Sequence, residues 1–142
     1  MKKKTGILLS LALLIVLVAG YSLYQHSLGN QDTKQITIVM KNKDDVFYEK
    51  TVQTQTSTLS ELLNELKDKN EILMESENSA YGMYITALGK DELVQQDPSS
   101  SLYWTYRSDN NKQCLANTYC DAADVLVIED GDVFEFVLDS YQ

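Results

Sequence analysis

An α+β fold with one helix packed on a mixed sheet is the architecture this sequence predicts. Three observations carry the prediction: β-rich runs dominate the chain from Ile36 onward, one capped amphipathic segment stands among them, and no βα repeat occurs that would wind a parallel sheet. With 142 residues, the chain supplies a single core of about 100 to 150 residues once a leading apolar segment is set aside.

That leading segment opens with Lys2, Lys3 and Lys4, and the run from Gly6 to Tyr24 then carries no charge. A cationic head followed by an apolar run reads as an export signal. The 19 residues of that run would reach about 28 Å as a helix, close to the roughly 30 Å hydrocarbon core, so the same run can also span. Three fates stay open: an uncleaved signal anchor, cleavage after Gly20, and lipoprotein processing, for which Leu17 to Gly20 resembles the start of a lipobox. Tyr21 stands where the lipid-bearing Cys would be, so lipidation is not expected. The lysines keep the N-terminus cytoplasmic and place the rest outside. Residues 1–24 are therefore a signal peptide or signal anchor, residues 25–35 a polar tether, and residues 36–142 the globular domain, either anchored to the cell membrane or secreted.

The domain begins with two extended runs, Ile36 to Met40 and Val46 to Val52, separated by the polar stretch Lys41 to Asp45, and together they read as a hairpin. Thr58 and Glu61 then form the two ends of a capping box, in which the Thr hydroxyl accepts from the residue-61 amide and the Glu reaches back to residue 58. Leu59, Leu62, Leu63 and Leu66 follow at helical spacing, so one face is apolar while Glu61, Asn64, Glu65 and Lys67 stay wet. Extended patterning returns at Glu71 to Glu75, Tyr81 to Leu88 and Leu102 to Arg107, with Pro98 and three serines marking a loop. Val125 to Ile128 and Val133 to Leu138 flank Asp130-Gly131, a tight-turn signal for a closing hairpin. A β-grasp-like mixed sheet with one packed helix is the simplest arrangement of this order.

Two cysteines, Cys114 and Cys120, lie close together in a chain directed to an oxidising compartment. With no CxxC spacing and no neighbouring His, a local structural disulfide is expected rather than a redox or metal role.

Charge removes several functions. The three N-terminal lysines precede the first acid, Asp32, leaving 9 basic against 21 acidic residues from Gln31 onward, a net of −12. Such a domain repels nucleic-acid backbones. The single His, His26, lies in the tether, which removes most His-based catalysis and most zinc sites. Asp121, Asp124, Glu129, Asp130, Asp132, Glu135 and Asp139 do not meet EF-hand spacing and read as turn and strand-face residues, so no metal site is expected. No GxSxG occurs and neither cysteine has a base beside it, so no enzyme is expected.

Strand alternation sends Leu102, Trp104 and Tyr106 to one face and Tyr103, Thr105 and Arg107 to the other. The first set is the expected core. The second offers a hydroxyl, an amphipathic ring and a guanidinium suited to a planar ligand or to an amide or phosphate edge. Nine tyrosines against three Phe and one Trp add recognition chemistry, with Tyr119 in the cysteine loop among the candidates.

Tyr81 to Gly89, then Tyr103-Trp104-Thr105-Tyr106, then Glu129 to Phe136 occur in an order and spacing that resembles the transcobalamin-like C-terminal domain family. The likeness covers roughly Ile36 to Tyr141. Domains of this type occur alone in surface proteins and lipoproteins of Gram-positive bacteria. The resemblance implies a β-grasp-like ligand-binding domain without enzymatic activity or cofactor, cobalamin entering only as a possible ligand. It also implies that residues at alternate positions after the Trp, here Thr105 and Arg107, face that ligand. In the cobalamin carriers a larger helical domain holds the other side of the corrin ring; no such domain is in this sequence, so a partner or a dimer would supply it. The expected function is thus an extracytoplasmic, membrane-tethered domain capturing a corrinoid-like ligand, with Tyr103, Thr105, Arg107 and Tyr119 in the site and a membrane transporter or surface protein as partner. The alternative is a cell-surface interaction or adhesion module with no small-molecule ligand.

Overall fold

The computed structural model describes residues 12–21 and 33–140. The chain divides into two compact units, Met1–Thr33 and Lys34–Gln142. In the first, residues 12–21 form a helix (α1) whose leucine and valine side chains are exposed. Among the described residues no helix is long and apolar enough to cross a membrane. The rest of the expected signal or anchor, and the tether up to residue 32, lie outside the described residues.

The second unit is α+β, with two sheets where a single one is expected. Its four-stranded sheet runs β2 (Asp45–Thr54), β1 (Lys34–Asn42), β7 (Val133–Ser140), β6 (Leu102–Arg107), and its three-stranded sheet β3 (Leu73–Ser79), β4 (Gly82–Gly89), β5 (Leu93–Gln95). β1 (Lys34–Asn42) and β2 (Asp45–Thr54) form the anticipated antiparallel hairpin. β1 starts inside the expected tether, because Gly131 and Asp130 bind the Gln35 backbone: Gly131 N donates to Gln35 O at 2.8 Å, and Gln35 N donates to Asp130 Oδ1 at 2.7 Å. α2 (Leu59–Asp68) follows, with the Thr58 hydroxyl accepting from Glu61 N at 3.3 Å. The return half of the cap differs from the expectation. Glu61 Oε2 takes the amide of Ser57, at 2.8 Å, rather than that of residue 58. Glu65 also departs from its expected wet position. Partial burial opposes its ionisation, but hydrogen bonds from Thr54 and Lys69 outweigh it and hold the carboxyl below the usual range.

β3 (Leu73–Ser79), β4 (Gly82–Gly89) and the short β5 (Leu93–Gln95) build the second sheet. Gly89 is forced there, since a Cβ would lie 1.8 Å from Glu92 O. β6 (Leu102–Arg107) pairs antiparallel with β7 (Val133–Ser140), which lies parallel to β1 at the centre of the four-stranded sheet. Between β6 and β7 a short helix, α3 (Lys112–Asn117), was not expected.

The expected hairpin around Asp130-Gly131 does not form. Gly131 takes its positive φ of 89°, but Val125 to Ile128 makes only a single bridge, Val127 with Thr58. Its backbone is committed elsewhere: Leu126 O accepts from Leu59 N at 3.0 Å, and Ile128 N donates to Ser57 O at 3.0 Å. The segment thus closes off the start of α2, where helical amides lack intrahelical partners.

Ile36, Ile38, Met40, Phe134 and Phe136 from the sheet meet Leu59, Leu62, Leu63 and Leu66 from α2 in one core that also takes in Leu88, Leu126 and Ile128. Trp104 is buried, as its strand phase predicts, and joins the two sheets: Nε1 donates to Val94 O at 2.9 Å and its ring meets Phe47 edge-on at 6.2 Å.

Candidate functional site

Register places the predicted residues on the outward face of the four-stranded sheet. Tyr103 lies opposite Asp139, Thr105 opposite Val137 and Arg107 opposite Glu135, while Lys41 of β1 stands across β7 beside Val137. Lys41 Nζ and Arg107 Nη2 reach the same Glu135 oxygen, at 2.8 and 2.6 Å. The Lys41 hydrogen bond, opposed by partial burial and reinforced by Arg107, holds the Glu135 carboxyl below its ordinary range. Thr105, Arg107, Lys41 and Lys43 line an open cavity of about 420 Å³ over this triad. Tyr103 is half-buried on the same face.

Tyr119 does not join them. It stands 67% exposed in the loop closed by the Cys114–Cys120 disulfide. That loop packs on the core side of the sheet, since Cys114 is buried in the core and the inward-facing Tyr106 donates its hydroxyl to Asp121 O at 2.7 Å. Burial, with the Asp124 and Asp121 carboxylates nearby, pushes Tyr106 up to about 12. α3 is capped by Asn111, whose Oδ1 accepts from Gln113 N and Cys114 N. The Asn111 Nδ2 donates to buried Asp132 at 2.6 Å and to Val127 O at 3.0 Å, which fixes the loop to the start of β7.

The β3–β4 turn meets the chain just after this loop. Met83 N donates to Asp124 Oδ2 at 3.0 Å, and Gly82, at φ 106°, is so near that a Cβ would sit 2.8 Å from the same oxygen. Tyr81, next to this contact in sequence, is 90% exposed, and Tyr119, Leu115 and Val125 are exposed as well. Tyr81, Leu115 and Val125 were outside the predicted site, as were Lys41, Lys43 and Glu135. The phase of Glu135 between buried Phe134 and Phe136 marks it as outward-facing. That Lys41 shares its surface follows only from β7 inserting between β1 and β6.

The acidic residues of the C-terminal third hold turns and ion pairs. Asp132 accepts from Glu129 N at 2.8 Å, Glu129 pairs with Lys112 at 3.3 Å, and Asp139 accepts from Ser140 N at 2.7 Å. Among the described residues no group of three or more His, Cys, Asp or Glu is placed to hold a metal ion.

Several solved structures share this fold. One is a "putative metal binding protein" from Ruminococcus gnavus ATCC 29149, at 25% identity and a TM-score of 0.55, covering 77% of this chain and 99% of its own. Another is haptocorrin in complex with Cbi, at 17% identity and a TM-score of 0.59 over 79% of this chain. The present chain corresponds to 26% of haptocorrin. No protein-family model matches the chain, and no curated protein matches it. The molecule is thus a small α+β domain of the type haptocorrin contains as one part.

Proposed function

We propose that this chain is an extracytoplasmic, membrane-tethered ligand-binding domain that captures a corrinoid-like small molecule and catalyses nothing. Its β2-β1-β7-β6 order, with a parallel central pair and one long helix, supports a β-grasp-like framework carrying the three-stranded sheet as an insertion. The disulfide fits an oxidising compartment. One observation carries the ligand class: in this chain the fold shared with a corrinoid-bound protein carries two exposed tyrosines, Tyr81 beside the Met83–Asp124 bond and Tyr119 in the disulfide-closed loop. A flat macrocycle with apolar faces and polar edges matches rings that are apolar in body and hydroxylated at the tip. Holding the backbone that carries those rings lowers the ordering cost of capture. The ring is assigned to these tyrosines rather than to the Tyr103, Thr105 and Arg107 face, where the charged Lys41, Glu135 and Arg107 offer a flat apolar ring little contact. A transporter or surface protein would receive the ligand or complete its cage.

Calorimetric and absorbance titration of the full chain with cobinamide and cobalamin tests this. Saturable binding is expected, weakened at least about tenfold in Tyr81→Ala/Tyr119→Ala and unchanged in Arg107→Gln. The reverse pattern moves the ligand to the sheet face. No binding by a folded chain dismisses the corrinoid reading and turns the exposed tyrosines into a candidate protein-binding surface.

A further inference from the structure

The outward sheet face carries a charge arrangement that corrinoid capture does not use. Lys41 and Arg107 share one oxygen of a single carboxylate, so Glu135 neutralises only half of a two-cation cluster. Lys43, lifted into the cavity by a turn at φ 56°, adds a third cation. Arg107 engages Glu135 through Nη2. A guanidinium has five donors in a rigid fork, so donors remain for a second oxyanion. Asp44 and Asp139 also line the cavity, so three carboxylates face three cations and an incoming anion is held by direct contact with the cations rather than by a net positive lining. Glu135 keeps 22% of its side chain exposed, so moving it aside costs the small free energy of a partly solvated ion pair and not that of a buried one. The domain as a whole is strongly acidic and repels anions, so binding here depends on close contact with Lys41, Lys43 and Arg107.

We propose that this face is an oxyanion site: the carboxylate or phosphate group of a small molecule binds Lys41, Lys43 and Arg107, displacing Glu135, which acts as the built-in occupant. Thr105, which lines the cavity, turns its hydroxyl from the Val137 carbonyl, to which it donates at 3.4 Å, and donates to the same group. The site is separate from the exposed Tyr81 and Tyr119, and its fate does not depend on corrinoid binding.

The test follows amide chemical shifts of the full chain during titration with inorganic phosphate and, separately, acetate. Saturable shifts are expected at residues 41, 43, 105 and 107, with affinity for at least one anion in the range of about 1 to 10 mM. Removing the competitor with Glu135→Gln is expected to tighten binding roughly tenfold, whereas Lys43→Gln/Arg107→Gln abolishes it. Glu129→Gln makes the same change in net charge while releasing Lys112 elsewhere, and is expected to leave the affinity unchanged. Lys43 lies on an exposed turn, so Lys43→Gln alone gives a folded variant expected to bind about threefold more weakly. Unsaturable shifts with both anions overturn the proposal. So does an unchanged affinity in folded Glu135→Gln, or an equal tightening by Glu129→Gln.

Discussion

Tyr103 and Trp104 are adjacent in sequence but belong to different physical regimes. On the Trp104 side of β6, Trp104 is buried and Leu102 and Tyr106 are partly buried against the core. The polar side-chain atoms there are each tied to one partner: Trp104 to the Val94 carbonyl, Tyr106 to the Asp121 carbonyl. On the Tyr103 side Arg107 meets Lys41 and Glu135 in a charged, partly solvated group, and one carboxylate is shared between two cations. Stability therefore resides on the inward face, where burial makes each group costly to disturb. Adaptable chemistry resides on the outward face, where exchange of one ionic partner for another costs little.

The comparison is tested most severely at two neighbouring positions of β7. Phe136 is fully buried and packs on Tyr106 at 5.5 Å, so Phe136→Ala is expected to cost about 3 to 5 kcal/mol in urea unfolding. Val137→Ala, one residue along and facing outward, should cost under about 1 kcal/mol. Equal costs would break the contrast between the faces. A step smaller is the Cys114–Cys120 bridge, which closes a short loop on the core side; replacing both cysteines by Ser is expected to remove about 2 kcal/mol, read from the same denaturant curves. Loss of corrinoid binding in that variant with little loss of stability would relocate the bridge's role from folding to bracing Tyr119.

Titration sharpens the contrast further, because the two faces should fail at opposite ends of the pH scale. Tyr106 is raised by burial from 10.0 to about 12, so its contribution is whole below pH 10 and is lost as pH rises toward the folded value. Tyr106→Phe should flatten the alkaline limb of a thermal-melt series. The smallest effect belongs to Glu135. Its folded value is lowered from 4.5, so its contribution is present above that pH and is lost as pH falls through the lower folded value. Glu135→Gln is expected to flatten the acid limb slightly and leave the alkaline limb alone. An acid limb indifferent to this substitution would mean that the ion triad adds nothing to folding.

Much of the fold was legible because it follows local periods. The α2 leucines and the Thr58 cap, the β1–β2 hairpin and the in-and-out phase of β6 are set by residues within a few positions of one another. The segments misread are those whose backbone partners are distant in sequence. Val125 to Ile128 has the composition of a strand, yet its hydrogen bonds go to Ser57 and Leu59 at the head of α2. α3 is too short to show a helical period and depends on Asn111, which is held by Asp132 from β7. β5 has only three residues and is positioned by β4 and by the Trp104 indole.

The candidate site divides in the same way. Alternation alone sends Tyr103, Thr105 and Arg107 to the face opposite Trp104, and the two cysteines alone suggest their bridge. Side-chain direction along a strand and the closure of a short loop are local properties, which a sequence determines without knowing the rest of the molecule. Which strand lies beside which is a global choice among competing core packings. Only the tertiary structure set Lys41 and Arg107 on either side of Glu135, by placing β7 between β1 and β6. Only it separated Tyr119 from the sheet face, because burial of Cys114 draws the disulfide loop to the core side of the sheet.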